Sequence, residues 1–545
     1  MTFWAQKHRP GWWKNAVLYQ IYPKSFQDAN GDGIGDLPGI TARLDYLQTL
    51  GVDALWLSPI FASPQVDNGY DISDYRAVDP MFGTLDDLRA LIRAADARGI
   101  GIVLDLVLNH TSDQHRWFQE AKKSKDNPCH DYYIWRDGTP DAPPNGMKAT
   151  FGGPAWTWVP ELGQYYFHQF APQQPDLNWE NPAVRRALYD MINFWIAEGV
   201  AGFRLDVIDQ IAKEPDNGIT ANGPRLMEFL RELNRETFGG KDLVTVGEAW
   251  GADLARARQY SAPDGSVFSM VFQFEQMVLD QDGSKWKARP WALPELKASI
   301  AKWQQGLHGA GWNSLFWNNH DLPRIVSRWG DDGAHRADSA KALAVVLHGL
   351  QGTPYIYQGE ELGMTNAPFG PQDWRDLESL NAYRELCQTG TPPPQALAAV
   401  QRMARDNART PMQWTAGPNA GFTTGTPWMR VNPNYTAINA EAALADPGSV
   451  FYTYQKLIAL RKANPVFAAG DFTLLCPGDT QVFAYLRRGG GQTMLVAANL
   501  SGRPAAFALP ADFAAVPPAL ATQGAPTPGT LRPWEAALWL LPGEA

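Results

Sequence analysis

Gly202-Phe203-Arg204-Leu205-Asp206 is a short run of β-forming residues that ends in an acid. Two further runs are built in the same way: Leu243-Val244-Thr245-Val246-Gly247-Glu248, and Asn313-Ser314-Leu315-Phe316-Trp317-Asn318-Asn319-His320-Asp321. Apolar strands that lead into carboxylates aim them at one end of a parallel barrel, the end where barrel enzymes keep their chemistry.

Working outward, eight segments read as strands: 17–22, 54–57, 101–106, 202–206, 243–247, 268–274, 313–317 and 354–358. Helix-period stretches such as 85–98 and 182–198 lie between most of them. This alternation predicts a parallel sheet covered by helices, and eight strands predict an α/β fold of the closed (β/α)8 TIM-barrel type. Two connections are too long for simple crossovers. The first, 111–178, is rich in Trp, Gly and Pro, as in Phe151-Gly152-Gly153-Pro154-Ala155-Trp156, and predicts a loop-rich inserted subdomain. The second, about 363–428, follows the eighth strand. Residues 1–110 and 179–471 therefore form the two parts of the barrel. From 472 to 545, short β-like runs between Gly, Pro and Ala turns predict a small antiparallel β domain. The Ala/Pro-rich stretch 509–528 reads as surface loop.

The chain has 545 residues, a formal net charge of −10 and a pI near 5.5. That balance argues against nucleic acid and anionic membranes as partners. Aromatic residues make up 12% of the chain, with 22 Trp, which fits a large packed core and equally a cleft that stacks flat sugar faces. Cys129, Cys387 and Cys476 are odd in number and lack metal-ligand spacing, so buried or idle thiols in a reducing, cytoplasmic compartment are expected. The first ten residues lack the apolar core of a signal peptide, and no apolar run approaches membrane-spanning length.

Two facing carboxylates are the minimum equipment for cleaving a glycosidic bond. Asp206 follows Arg204 by two positions, so both side chains point to one face of a strand. The pair fits a structural ion pair, or a nucleophile held ionised by Arg204. Glu248 fits an exposed glutamate, or a general acid whose pKa is raised against an apolar wall from Trp250. Asp321 follows His320 and two asparagines. Such a polar run is costly to bury unless each group has a partner, either within a loop or among the hydroxyls of a sugar. Asp105-Leu106-Val107-Leu108-Asn109-His110 and Asp67-Asn68-Gly69-Tyr70-Asp71 add polar groups at further strand ends. Five such segments at successive strand ends are hard to attribute to packing.

These segments resemble the motifs of the alpha-amylase superfamily of retaining glycoside hydrolases, as does the opening Trp12-Trp13-Lys14-Asn15 with Tyr19-Gln20-Ile21-Tyr22-Pro23. The resemblance covers essentially the whole chain. It implies Asp206 as nucleophile, Glu248 as acid/base and Asp321 as transition-state stabiliser. It further implies that Asp67, Tyr70, His110, Arg204, His320 and Arg405 line the pocket for the non-reducing-end glucose. Within the superfamily the chain is most similar to the oligo-1,6-glucosidase and dextran glucosidase branch. Val207, directly after the nucleophile, is the residue associated there with alpha-1,6 specificity, and Trp250, Glu378 and Lys285 match leaving-group-side positions. The implied activity is exo-hydrolysis of isomalto-oligosaccharides, with small-molecule oligosaccharides as partners. A trehalose-6-phosphate hydrolase and a broad alpha-glucosidase with transglucosylation are alternatives. A non-catalytic amylase-like binding protein is disfavoured, because the acid set is intact.

Asp28-Ala29-Asn30-Gly31-Asp32-Gly33-Ile34-Gly35-Asp36 places oxygen-bearing side chains at alternating positions, with glycine for a tight turn. The spacing is similar to the start of an EF-hand loop and suits a hard cation, although an acidic turn also fits. The resemblance implies a structural Ca2+ held by Asp28, Asn30, Asp32, Asp36 and the Ile34 carbonyl.

Overall fold

A computed structural model describes residues 10–542. Residues 1–9 and 543–545, and with them the start of the first expected domain, the end of the last and most of the leader reading, lie outside the described residues.

The barrel strands are β1 (Leu18–Ile21), β2 (Ala54–Leu57), β3 (Gly101–Val107), β4 (Gly202–Asp206), β5 (Val244–Glu248), β6 (Met270–Phe272), β7 (Ser314–Leu315) and β8 (Thr353–Tyr357). They pair in parallel in the order β6-β5-β4-β3-β2-β1-β8-β7. A parallel bridge from Val271 to Asn313 joins β6 to β7 and closes the ring. Strand existence and order follow the expected alternation. The ends differ: the segment expected at 268–274 keeps three strand residues, and that at 313–317 only two. Their flanks turn away from the ladder to supply loops to the site. Glu248 is the last residue of β5 rather than the residue after it.

The strands are apolar on both faces because helices cover the outside while side chains fill the inside. The helix Leu85–Ala97 starts at a capping box, in which Thr84 and Asp87 exchange side-chain and backbone hydrogen bonds. The helix Pro182–Ala197 starts at Asn181, whose side chain accepts from Ala183 N, with proline in its first turn.

Within the first long insertion lie a short helix, Arg116–Ala121, and an antiparallel sheet of Trp135–Asp137, Gln164–Phe167 and Trp156–Val159. The second insertion carries the helices Leu377–Gln388 and Pro393–Met403. Beyond the barrel, five antiparallel strands form the C-terminal sheet, with Val482–Gly489, Gln492–Asn499 and Ala536–Pro542 at its centre. One stretch of the expected 509–528 loop, Leu520–Ala521, is an edge strand of this sheet. No helix among the described residues is long and apolar enough to cross a membrane. The three cysteines are unpaired, but none is buried: Cys129 and Cys387 are half-buried and Cys476 is exposed.

Candidate active site

The register of the parallel strands sets the centre of the site. Asp105 on β3 and Val246 on β5 both pair with Arg204 on β4. Arg204 is 1% exposed and meets three carboxyl groups. Its Nη1 donates to Asp206 Oδ1 at 2.7 Å and Asp105 Oδ1 at 2.8 Å, and its Nη2 lies 2.6 Å from Glu248 Oε2. The two candidate catalytic acids, Asp206 and Glu248, are thus bound to opposite nitrogens of one guanidinium.

The sharing changes the electrostatics expected from a simple Arg204–Asp206 pair. Burial pushes the Asp206 carboxyl well up, Arg204 opposes this, and the charges of Glu248 and Asp105 add to it. Asp105 is pushed up to about 6, again by burial against the pull of Arg204. One positive charge facing three carboxyl groups favours a proton retained in the cluster.

Glu248 is further fixed by two donors, Val207 N to Oε2 at 3.0 Å and Trp250 Nε1 to Oε1 at 3.2 Å. Trp250 therefore does more than form an apolar wall: its indole N–H holds the acid. Its ring stacks on Phe274 with centroids 3.7 Å apart and stays 45% exposed, a flat platform at the mouth. Val207 has φ 34° and ψ 43°, a left-handed conformation that is rare for a β-branched residue. That conformation turns its N–H toward Glu248.

Asp321 lies beyond β7. Arg409 Nη2 donates to its Oδ1 at 2.7 Å and Arg405 Nη1 to the same oxygen at 3.2 Å. Burial alone would raise this carboxyl, but the charges of Arg405 and Arg409 hold it well below the usual range. The polar run before it is mostly satisfied by protein rather than waiting for a sugar. Asn318 Nδ2 donates to Glu360, Asn319 Oδ1 accepts from Asp321 N, and Gln20 Nε2 meets His320 Nδ1 at 2.8 Å. With Gln20 donating there, the His320 proton sits on Nε2, the one nitrogen of that ring without a hydrogen bond.

These groups surround a cavity of about 360 Å³. Asp206, Glu248, Asp321, Asp67, Tyr70, His110, Val207, Trp250, Lys285, Glu378 and Arg405 all line it. Arg204 and His320, expected in the lining, lie behind it: Arg204 under the acids, and His320 stacked on Tyr70 at 5.2 Å between centroids. Burial holds both histidines neutral, His110 at about 4 and His320 at about 3. Asp67 is pushed up to about 6 by burial and is 3.3 Å from Arg405 Nη2. Lys285 Nζ and Glu378 Oε2 pair at 2.6 Å across the side served by the second insertion.

The residue-by-residue reading omitted Asp105 as a site residue, although it lies in a quoted motif. Besides Arg204 it accepts from Tyr70 OH at 2.9 Å and Trp56 Nε1 at 3.1 Å. Phe151 and Phe170 were also missed. Phe151 lies under the Arg405 guanidinium at 5.0 Å and Phe170 against His110 at 5.2 Å. Phe151 belongs to the Gly-rich stretch already noted. Nothing in the local sequence singles out Phe170.

In the loop 28–36, Asp28 accepts from the backbone N–H groups of Asn30, Gly31 and Gly33, and Asp32 Oδ1 accepts from Ile34 N. Asp36 caps the helix Leu37–Ala42 through Gly39 N at 2.6 Å. A Cβ on Gly33 would sit 1.8 Å from the Thr426 carbonyl oxygen, so the loop is packed tightly. The side-chain donors are all oxygen, which fits a hard cation. No group of three His, Cys, Asp or Glu side chains among the described residues closes on a metal-sized point. Any ion here would therefore need the Asn30 amide and Ile34 carbonyl oxygens as well as acids.

A closed barrel with paired acids at the strand ends, opening on a sugar-sized cavity, defines a glycoside hydrolase. The sequence matches the alpha amylase catalytic domain over residues 20–470 and the maltogenic amylase C-terminal domain over 472–535. The chain belongs to the alpha-amylase family. It is 55% identical to a glucan 1,6-alpha-glucosidase of Streptococcus pneumoniae, over 90% of this chain and 91% of that one. It is 53% identical to a trehalose-6-phosphate hydrolase of Escherichia coli, over 91% and 92%. The crystal structure of a Bacillus licheniformis trehalose-6-phosphate hydrolase superposes with a TM-score of 0.94 at 46% identity, covering 98% of this chain and all of that one.

Asp105→Asn removes a negative charge that raises Asp206 and loosens Arg204. We expect kcat/KM to fall by about 100-fold, the scale of a small misplacement of reacting groups. The acid limb of the pH–rate profile moves to lower pH, because Asp206 then ionises more readily. An acid limb that stays in place or moves up rules out this coupling.

Proposed function

We propose that the protein is a retaining exo-alpha-glucosidase that hydrolyses terminal alpha-1,6-glucosidic bonds of isomalto-oligosaccharides. The observation that carries this reading is the pair of acids, Asp206 and Glu248, bound to one guanidinium at the floor of the cavity. Glu248 protonates the glycosidic oxygen while Asp206 attacks the anomeric carbon. Water, activated by the now ionised Glu248, then hydrolyses the glucosyl-enzyme with net retention. Asp321, kept ionised by its arginines, binds hydroxyls and opposes the positive charge that develops on the sugar. His110, which lines the cavity and is held neutral by burial, adds no charge to it.

Phosphorylated substrates are the main competing reading. Five acids line the cavity, and its two cations are already engaged. Lys285 is paired with Glu378, and Arg405 with Asp376, Asp67 and Asp321. A phosphate dianion would need a spare cation, whereas a neutral sugar needs hydrogen-bonding groups and a stacking face such as Trp250. This favours a neutral leaving group. The three unpaired cysteines fit a reducing compartment, so we place the enzyme in the cytoplasm. The loop 28–36 is proposed to hold a structural Ca2+.

Asp206→Ala abolishes turnover while circular dichroism and the melting temperature stay near wild type; retained activity would remove Asp206 from the mechanism. Side-by-side rates on isomaltose, maltose, trehalose and trehalose-6-phosphate should favour isomaltose, and a preference for the phosphorylated sugar refutes the neutral-substrate reading. Val207→Ala or Val207→Thr should raise the maltose-to-isomaltose ratio, and an unchanged ratio places discrimination elsewhere. Chelation by EDTA should lower the melting temperature of the wild type, and added Ca2+ should restore it. In Asp28→Ala the EDTA effect should vanish.

A further inference from the structure

A second concave surface lies away from the catalytic acids. It is a groove of about 570 Å³, within the size range of small-molecule sites. It runs between the strand Asp74–Val78, the start of the helix Arg116–Ala121 and the helix Pro182–Ala197. We propose that this groove is a second carbohydrate site, which binds a neutral gluco-oligosaccharide without cleaving it.

Four rings form a continuous floor and wall. His115 and Trp117 lie 4.4 Å apart, Trp117 and Tyr132 5.4 Å, and Tyr75 and His115 5.5 Å. Trp117 and Tyr132 are half-buried, so ring surface remains open to a ligand. The floor is fixed in place. Tyr75 OH donates to the Val107 carbonyl at 2.7 Å, lies 3.0 Å from the His110 carbonyl, and its own carbonyl accepts from Trp195 Nε1 at 2.9 Å.

His115 is 94% buried, yet it faces this groove. Its Nδ1 accepts from Trp117 N at 3.1 Å, so the ring proton sits on Nε2. Nε2 has no hydrogen-bond partner among the described residues. It is a neutral donor built into the floor and left for a ligand.

The rim carries Asp74, Asp190, Arg76 and Arg116. None of the four forms an ion pair among the described residues. Unpaired surface charges are ordinary one at a time. Here two of each sign surround a concave aromatic floor. A phosphate or a strongly basic ligand would be repelled by half of this set. A sugar hydroxyl both donates and accepts, and its ring offers an apolar face, so a neutral oligosaccharide suits a floor and rim of this composition.

Isothermal titration of isomaltotriose into the Asp206→Ala protein tests this, because that variant does not consume the ligand. We expect one binding event to weaken about tenfold or disappear on Trp117→Ala, as for an aromatic contact at the centre of an interface. Asp190→Ala and Arg76→Ala change exposed side chains only. They should weaken the same event and leave wild-type turnover unchanged. Binding indifferent to all three substitutions overturns the proposal, whatever number of sites is counted. The choice of probe rests on the proposed substrate class. Turnover of isomaltotriose by the wild-type enzyme reports on that class separately, so either reading can fail alone.

Discussion

One guanidinium, buried at the end of the barrel and bonded to acids on three neighbouring strands, organises the site. A charge in that position is tolerable only with partners, since an unpaired buried ion costs several kcal/mol. Arg204 finds its partners through strand register. Asp105 pairs directly with it across β3 and β4, and Glu248 is two residues beyond its partner on β5. The spacing of Asp206 and Glu248 is therefore set by the parallel hydrogen-bond ladder. The same three carboxyl groups that neutralise Arg204 outnumber it, and so favour a proton held within the cluster.

Much of this was legible in the sequence. Short apolar runs ending in acids predicted both the strands and the end of the barrel at which chemistry occurs, because strand alternation and helix cover leave a strong imprint on composition. Arg204, Asp206 and Glu248 could be named for the same reason, since a charged residue in an apolar run is conspicuous, whereas Asp67 and Arg405 stand in polar segments and their places in the pocket came only from the resemblance to the family. Other features left little trace. The use of Asp105 depends on which strands become neighbours, which no single segment encodes. The exhaustion of Arg204 by three acids, rather than one, is likewise a property of the assembled ring. Phe170 reaches the cavity from an irregular loop, where neither periodicity nor turn chemistry marks an inward side chain. The strand ends were read too long at β6 and β7, since apolar residues that pack a loop over the barrel look the same as those that continue a strand.

The two insertions complete what the strands begin. Asp376, fully buried, caps the helix Leu377–Gln388 through Ser379 N and also accepts from Arg405 Nε at 2.9 Å and Nη2 at 2.6 Å. Arg405 in turn reaches Asp321 and Asp67. The same helix presents Glu378 to Lys285, and Asn381 Nδ2 donates to the Phe151 carbonyl of the first insertion at 3.2 Å. The helix thus ties the second insertion to the first and to the acid beyond β7. The network engages both cations that line the cavity, Lys285 and Arg405, with carboxylates.

Val207 shows how one position can serve two ends. Its left-handed backbone costs on the order of 1–3 kcal/mol for a non-glycine residue and persists only where surrounding contacts over-determine it. Here Glu248 Oε2 accepts from Val207 N and meets Arg204 Nη2, while the preceding residue, Asp206, is held by Arg204 Nη1. The backbone is pinned from both sides. Its N–H fixes the acid, and its isopropyl group faces the cavity beside the nucleophile. Every residue except proline keeps the N–H at this position, so the wall can vary without removing that bond to the acid. The shape of the cavity wall and the fixing of Glu248 are separable at this residue because one belongs to the side chain and the other to the main chain.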